Sequence, residues 1–459
     1  MKNILKRIFK NNYIKDIKKL LFGFLWITCF FSININPENI NKLNLTEILR
    51  LIIPSLLILF FLIYSFKKKI ILHSVEKFYI FYPFIIYFIL GICFIFINPD
   101  INSYLNIYWG ILMLTPFIYI YYFKNDSKQL EIFLILTFSL ILLIFIYFFS
   151  KILILMISKR DIIHLYGISD AVFGYQTDDH NPRSSGLSRM SLILYICLVI
   201  YLITNKKKPY IINSIFILSV IFGSIVLLFQ SRTINFIYII FSIVLFIIFL
   251  KKKNLINKNY IIFLIVTPII FASVYIFFVY KKTNDPRRIN AFKNNSTIEI
   301  NNFFKNSNSI IVETLIRKDN DNNFSSNRFY IWKNIIEISK KNIFMGYGFQ
   351  ADRKLLNESA HNVYLYSLIS GGIISMLLII FISLRSVFVS FILLANYVNS
   401  KNICSMFYMI PLFWVSLFLL RGILETSYGI YSIDYLIFIL CFMINEINYK
   451  KFKDKKFVF

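Results

Sequence analysis

The chain has 459 residues, 58% of them hydrophobic and 19% aromatic, and a formal net charge of +27. So apolar a balance excludes an ordinary soluble domain and indicates an all-α, polytopic membrane protein. The positive charge does not indicate nucleic acid, because the basic runs are split among short gaps between apolar stretches and form no contiguous footprint.

In chain order the apolar stretches are 20–36, 51–66, 78–97, 104–123, 131–157, 190–204, 210–230, 234–250, 260–280, 362–384, 403–420 and 431–445. Most are long enough for a helix to cross a hydrocarbon core about 30 Å thick, giving about twelve spans. The first follows a basic segment without a small-residue cleavage pattern, and so reads as an uncleaved signal anchor. Period-two alternation is absent and no internal repeat stands out. Cys29, Cys93, Cys197, Cys404 and Cys441 all fall in apolar runs and are odd in number, which favours buried thiols over a disulfide framework.

Lysines cluster in alternate gaps: Lys2 to Lys19, Lys67 to Lys69, Lys124 with Lys128, Lys206 to Lys208, Lys251 to Lys253, and Lys450 to Lys456. By the positive-inside rule these gaps and both termini are cytoplasmic, and much of the net charge is topology signal and attraction to anionic lipid. The expected organisation is a bundle of about nine helices over 1–280, a periplasmic loop over 281–360, and C-terminal spans with a basic tail over 361–459. The loop is too long for a plain connection. Within it, Phe329, Trp332, Ile335, Ile336 and Ile343 recur at helical spacing opposite Lys333, Asn334, Glu337, Lys340 and Lys341. This spacing predicts an amphipathic helix on the membrane surface or over the bundle. Gly346 and Gly348 end it in a tight turn.

Arginine runs against the lysine pattern. Beyond the N-terminal region, Arg183, Arg189, Arg232, Arg287, Arg288, Arg317, Arg328, Arg353 and Arg421 all fall on the outer side, against Arg385 alone on the inner side. A guanidinium fork suits phosphate oxygens, and a diphosphate held at the outer surface would explain the bias. For Arg287, Arg317 and Arg353, inside the loop, a solvated surface charge is the simpler reading. Arg189, Arg232 and Arg421 lie at span ends, where an arginine needs a polar cavity or a partner. Glu425, four residues past Arg421, is placed to pair with it or to orient a hydroxyl. His361 opens a span at the same face and can take a proton near neutral pH, although a lone histidine there also serves as a cap or an interfacial residue. Asp178, Asp179 and His180 suit a divalent metal by type but lack a further ligand, so no metal site is assigned. No phosphate-cradling Gly-rich loop appears, and no cofactor is expected.

These residues carry a resemblance. Arg328-Phe329-Tyr330-Ile331-Trp332, Gly346-Tyr347-Gly348, His361-Asn362 with Tyr364-Leu365, and Gly371-Gly372 resemble, in order, the shared core of the O-antigen ligase and O-antigen polymerase superfamily. Ser231-Arg232-Thr233 resembles its Ser-Arg motif, and Arg183-Ser184-Ser185-Gly186 its Arg-x-x-Gly element. The ligase motif places Gly, Thr or Tyr where this chain has Ser375, which puts polymerase slightly ahead of ligase. The resemblance implies a metal-independent, inverting membrane glycosyltransferase of the GT-C type in the bacterial inner membrane, with its site on the periplasmic face. The implied donor is an undecaprenyl-diphosphate-linked oligosaccharide. The implied acceptor is lipid A-core, a growing glycan or, in the oligosaccharyltransferase branch, protein, and a chain-length regulator is a candidate partner. His361 is then the candidate base, and Arg189, Arg232, Arg328, Arg183 and Arg421 contact diphosphate or glycan. Asn362, Glu425, Gly346, Gly348 and Gly372 orient or support them. Tyr347 and Tyr364 are candidates for stacking on sugar, although a chance aromatic is the simpler reading of either. The competing class is a transporter or flippase, which would show internal repeats and charge near the midplane.

Overall fold

The computed structural model describes residues 23–24, 26–30, 82–98, 110, 112–114, 116, 127–159, 184–204, 209–228, 231–251, 266–270, 273, 328–356, 358–399 and 406–453. Among them every regular element is helical and there is no strand. In chain order the helices are α1 (Tyr82–Ile97), α2 (Ser127–Lys159), α3 (Ser184–Thr204), α4 (Pro209–Leu228), α5 (Arg232–Lys251), α6 (Arg328–Lys341), α7 (Ala351–Leu356), α8 (Val363–Asn399), α9 (Met406–Gly422) and α10 (Ile433–Lys453). A 3-10 turn, Ser427–Gly429, precedes α10. The expected spans over 51–66, and most of those over 20–36, 104–123 and 260–280, lie outside the described residues.

Two segments, Lys128–Ser150 of α2 and Val363–Val398 of α8, are long and apolar enough to cross a membrane. Both are mostly unburied. Leu143, Leu384 and Phe391 are 63%, 65% and 71% exposed. A core helix of a soluble protein would cover such side chains, whereas lipid leaves them at no cost, so these surfaces fit a membrane protein.

The chain divides into two compact units. One comprises Met1–Thr137 and Asn327–Phe459, the other Phe138–Ser326. In the second, α3 packs along α4, and α5 touches both. Ser188 Oγ donates to the Val226 carbonyl at 3.0 Å, and the Tyr195 and Tyr238 rings lie 5.1 Å apart. In the first, α8 is central and packs against α1, α6, α9 and α10. At the basic end of α10, Arg385 holds Glu446 through Nε at 2.9 Å and Nη2 at 3.0 Å. Of the cysteines, Cys29, Cys197 and Cys441 are buried, while Cys93 is exposed and so departs from expectation.

Two local features position the candidate site. Helix α8 breaks at Gly371 and Gly372, where Gly372 takes φ +69°. The groups freed by the break are taken by the segment after α6: Tyr347 N donates to Ile369 O at 2.8 Å, Gly348 N to Ser370 O at 2.8 Å, and Ile373 N to Ile343 O at 2.7 Å. The approach is so close that a Cβ on Gly372 would lie 2.3 Å from Phe344 O, and one on Gly346 (φ +67°) 2.6 Å from Gly372 N. The Gly346-Tyr347-Gly348 and Gly371-Gly372 motifs are therefore two halves of one backbone joint.

The amphipathic helix forms, but its buried stripe is Ile331, Ile335 and Ser339. Phe329 is 67% exposed, and Ile336 and Ile343 are exposed as well, so they do not share the covered face with Ile335. The contact with α8 follows residues four apart, which selects the 331, 335, 339 row and leaves its neighbours outside.

Candidate functional site: a carboxylate shared by arginine and histidine

The start of α8, the start of α6 and the loop after α9 meet around one carboxylate. Glu425 Oε1 accepts from Arg328 Nη2 at 2.8 Å, and its Oε2 lies 3.0 Å from His361 Nδ1. With Nδ1–H donated to the carboxylate, Nε2 of His361 carries the lone pair and is the nitrogen able to accept a proton. The imidazole and the carboxylate are 31% and 23% exposed, accessible to a substrate yet partly shielded from water.

The charge of Glu425 is maintained against its surroundings. Burial opposes ionisation, but the hydrogen bond with His361 and the charges of Arg421, His361 and Arg328 together outweigh it, holding the carboxyl below its ordinary range. Arg421 contributes from a distance. Its own ion pair is with Asp434 in the first turn of α10, and Ser427 Oγ donates to the same carboxylate oxygen at 3.2 Å.

Asn362 fixes the backbone beside the histidine. Its Oδ1 accepts from Tyr364 N at 2.9 Å and Leu365 N at 3.0 Å, capping the four-donor end of α8. Its Nδ2 donates to Ile423 O at 2.8 Å and ties that cap to the loop carrying Glu425. The His-Asn pair thus divides its work: one side chain faces the carboxylate, the other joins the two segments.

Residues 217–380 match the family model described as O-antigen ligase. Through this segment the chain is similar to the O-antigen ligase family, which agrees with the resemblance carried by its motifs. No curated protein and no solved structure matches the chain. The matched segment includes Arg232, Arg328, Gly346, Gly348, His361, Asn362 and Gly372, while Glu425 and Arg421 lie beyond it. Their link to the family segment comes from geometry alone.

The expected site residues fall into four groups. His361, Glu425, Arg328 and Asn362 are brought together, with Arg421 acting on Glu425 through its charge. Gly346, Gly348 and Gly372 form the backbone joint behind them. Arg189, in α3, and Arg232, the first residue of α5, belong to the other compact unit. Arg183, together with Asp178, Asp179 and His180, lies outside the described residues.

Three residues near the site went unassigned in the sequence. Asp434, the partner of Arg421, is fully buried, and an acid opening an apolar helix was the signal that could have found it. Asp352, 2% exposed, has Oδ2 accepting from Ala360 N at 2.8 Å. Burial pushes its carboxyl up, against that hydrogen bond and the charge of Arg353. Trp332 Nε1 donates to Ala360 O at 3.0 Å; the motif contained this tryptophan, but periodicity gave it only a packing role.

Proposed function

We propose that the protein is a membrane glycosyltransferase of surface-polysaccharide assembly that moves glycan from an undecaprenyl-diphosphate-linked donor to a sugar hydroxyl. The reaction belongs to the O-antigen ligase or polymerase type and takes place at the periplasmic face of an inner membrane crossed by about twelve spans. The observation that carries the reading is the His361–Glu425–Arg328 cluster at the mouth of α8. In the proposed step the acceptor oxygen attacks the anomeric carbon in line, and its proton passes to His361 Nε2. The bond from that carbon to the diphosphate oxygen breaks, and the leaving group takes the electron pair. In-line attack inverts the anomeric configuration.

Glu425 orients the imidazole and stabilises it once protonated. Arg328 offers fixed positive charge that needs no reorganisation as the leaving group forms, so arginine can fill the role a metal would otherwise take. The family resemblance assigns Arg183, Arg189, Arg232 and Arg421 to the diphosphate or glycan, and this assignment is part of the same proposal. Ser375 bears little on the acceptor: it is fully buried in α8, and a Cβ on Gly371 would meet its Oγ. The departure from the ligase motif at that position is therefore a matter of packing.

Reconstitution with undecaprenyl-diphosphate oligosaccharide tests the reading. Longer lipid-linked glycan identifies a polymerase, and transfer to lipid A-core a ligase. Movement of donor across the bilayer without turnover on either acceptor overturns the proposal.

A further inference from the structure

His361 has φ +47°, a left-handed backbone conformation that a residue bearing a Cβ adopts only when its surroundings impose it. The peptide just before it shows what imposes it. Ala360 is fully buried, and both of its backbone groups are held by side chains from other elements. Its N–H donates to Asp352 Oδ2 of α7 at 2.8 Å, and its carbonyl accepts from Trp332 Nε1 of α6 at 3.0 Å. On the other side, Asn362 is fixed by the α8 cap and by Ile423 O. His361 is the one residue between two pinned peptides.

Asp352 Oδ2 and Trp332 Nε1 both engage the Ala360 backbone, whereas Glu425 engages Arg328 and His361. Burying a carboxyl group with only backbone N–H groups to satisfy it is costly, and such an arrangement persists where a fixed geometry depends on it. We propose that Asp352 and Trp332 are positioning residues that clamp the Ala360 peptide and hold His361 in its left-handed conformation, with its ring against Glu425. The proposal rests on His361 being the base of the reaction described above. It assigns the tryptophan of the Arg328–Trp332 motif a duty distinct from that of Arg328: the arginine engages the carboxylate, and the tryptophan engages the backbone of the residue before the base.

The test uses Asp352→Ala, Asp352→Asn and Trp332→Phe in the full chain, reconstituted in bilayers. Displacing a base by an ångström costs on the order of 10²-fold, so Asp352→Ala is expected to lower kcat by about that factor with KM within about twofold. Asp352→Asn keeps an acceptor for Ala360 N and is expected to restore kcat to within a few-fold of wild type. Trp332→Phe keeps an aromatic side chain but removes the donor together with the pyrrole half of the indole, and is expected to lower kcat roughly 10-fold with the same KM pattern. Because Trp332→Phe is conservative, it tests the clamp if Asp352→Ala does not fold.

A second readout does not depend on turnover. In protein labelled with 15N-histidine, with His361→Gln as the assignment control, the Nδ1 resonance of His361 in the bilayer reports its contact with Glu425. It is expected to be unchanged in Asp352→Asn and displaced in Asp352→Ala and Trp332→Phe. Wild-type protein without turnover would sink the glycosyltransferase reading while leaving this spectrum to decide the clamp. Full kcat and an unmoved Nδ1 resonance in both Asp352→Ala and Trp332→Phe would overturn the clamp itself.

Discussion

Replacing Glu425 by Gln removes one charge and almost no volume, so it isolates the electrostatic role of the shared carboxylate. In the resting site it weakens two charge-assisted contacts, at 2.8 Å to Arg328 and 3.0 Å to His361. Such bonds contribute roughly 1.5–3 kcal/mol each when well shielded. With side chains about one quarter exposed, a combined stability loss of about 1–3 kcal/mol is expected. The larger effect falls on the reaction, because the imidazole becomes cationic as it takes the proton. A charge pair about 4 Å apart in an effective dielectric of about 20 is worth about 4 kcal/mol. Partial exposure reduces this to about 3 kcal/mol, equivalent to roughly a 10²-fold loss in kcat. Glutamine also presents an amide able to donate to Nδ1, which would favour the tautomer lacking a basic Nε2. The assay is single-turnover glycan transfer from a fluorescent lipid-linked oligosaccharide, with Tm measured in parallel. Folded Glu425→Gln protein with kcat within about threefold of wild type would refute the reasoning, whatever its Tm.

Gly372→Ala and Gly346→Ala should each prevent folding or lower Tm sharply. Each adds a Cβ within 2.6 Å of backbone atoms at a positive φ, which costs on the order of 1–2 kcal/mol for the conformation before the clash is counted; membrane-inserted yield and Tm check this. Asn362→Ala removes the α8 cap and the tie to Ile423 O, and should cost about 1–2 kcal/mol by thermal unfolding. For pH, the depressed carboxyl of Glu425 stabilises the fold fully above the ordinary carboxylate range, and that contribution is lost as pH falls through the lower folded value. The Tm difference between wild type and Glu425→Gln should therefore shrink on acidification below that range. Asp352 has the opposite sign: its raised carboxyl costs stability above the raised value, so Asp352→Asn should hold or raise Tm at neutral pH.

Much of the cluster was legible because its residues contradict their surroundings. A histidine and a glutamate at the edges of apolar runs stand out against lipid, Arg328 was marked by the Arg328–Trp332 motif in the loop, and the three converge. The partner of Glu425 was less legible. Spacing suggested Arg421, four residues earlier, but Arg421 belongs to the end of α9 and pairs with Asp434 across to α10, which frees Glu425 for residues 97 and 64 positions away. The glycine motifs were visible as turns, yet their joining across the α8 break depends on backbone hydrogen bonds that carry no side-chain signature. Asp352 was hidden because an acid in a polar loop looks solvated; only the fold shows it buried against Ala360 N.

The central claim is that His361 takes the acceptor proton. The measurement that tests it most directly is the rate of glycan transfer by reconstituted His361→Gln protein, with folding verified by Tm. A positioned general base contributes on the order of 10²–10⁴-fold, and the account predicts a loss in that range with lipid-linked donor binding retained. Transfer by folded His361→Gln at the wild-type rate would contradict it.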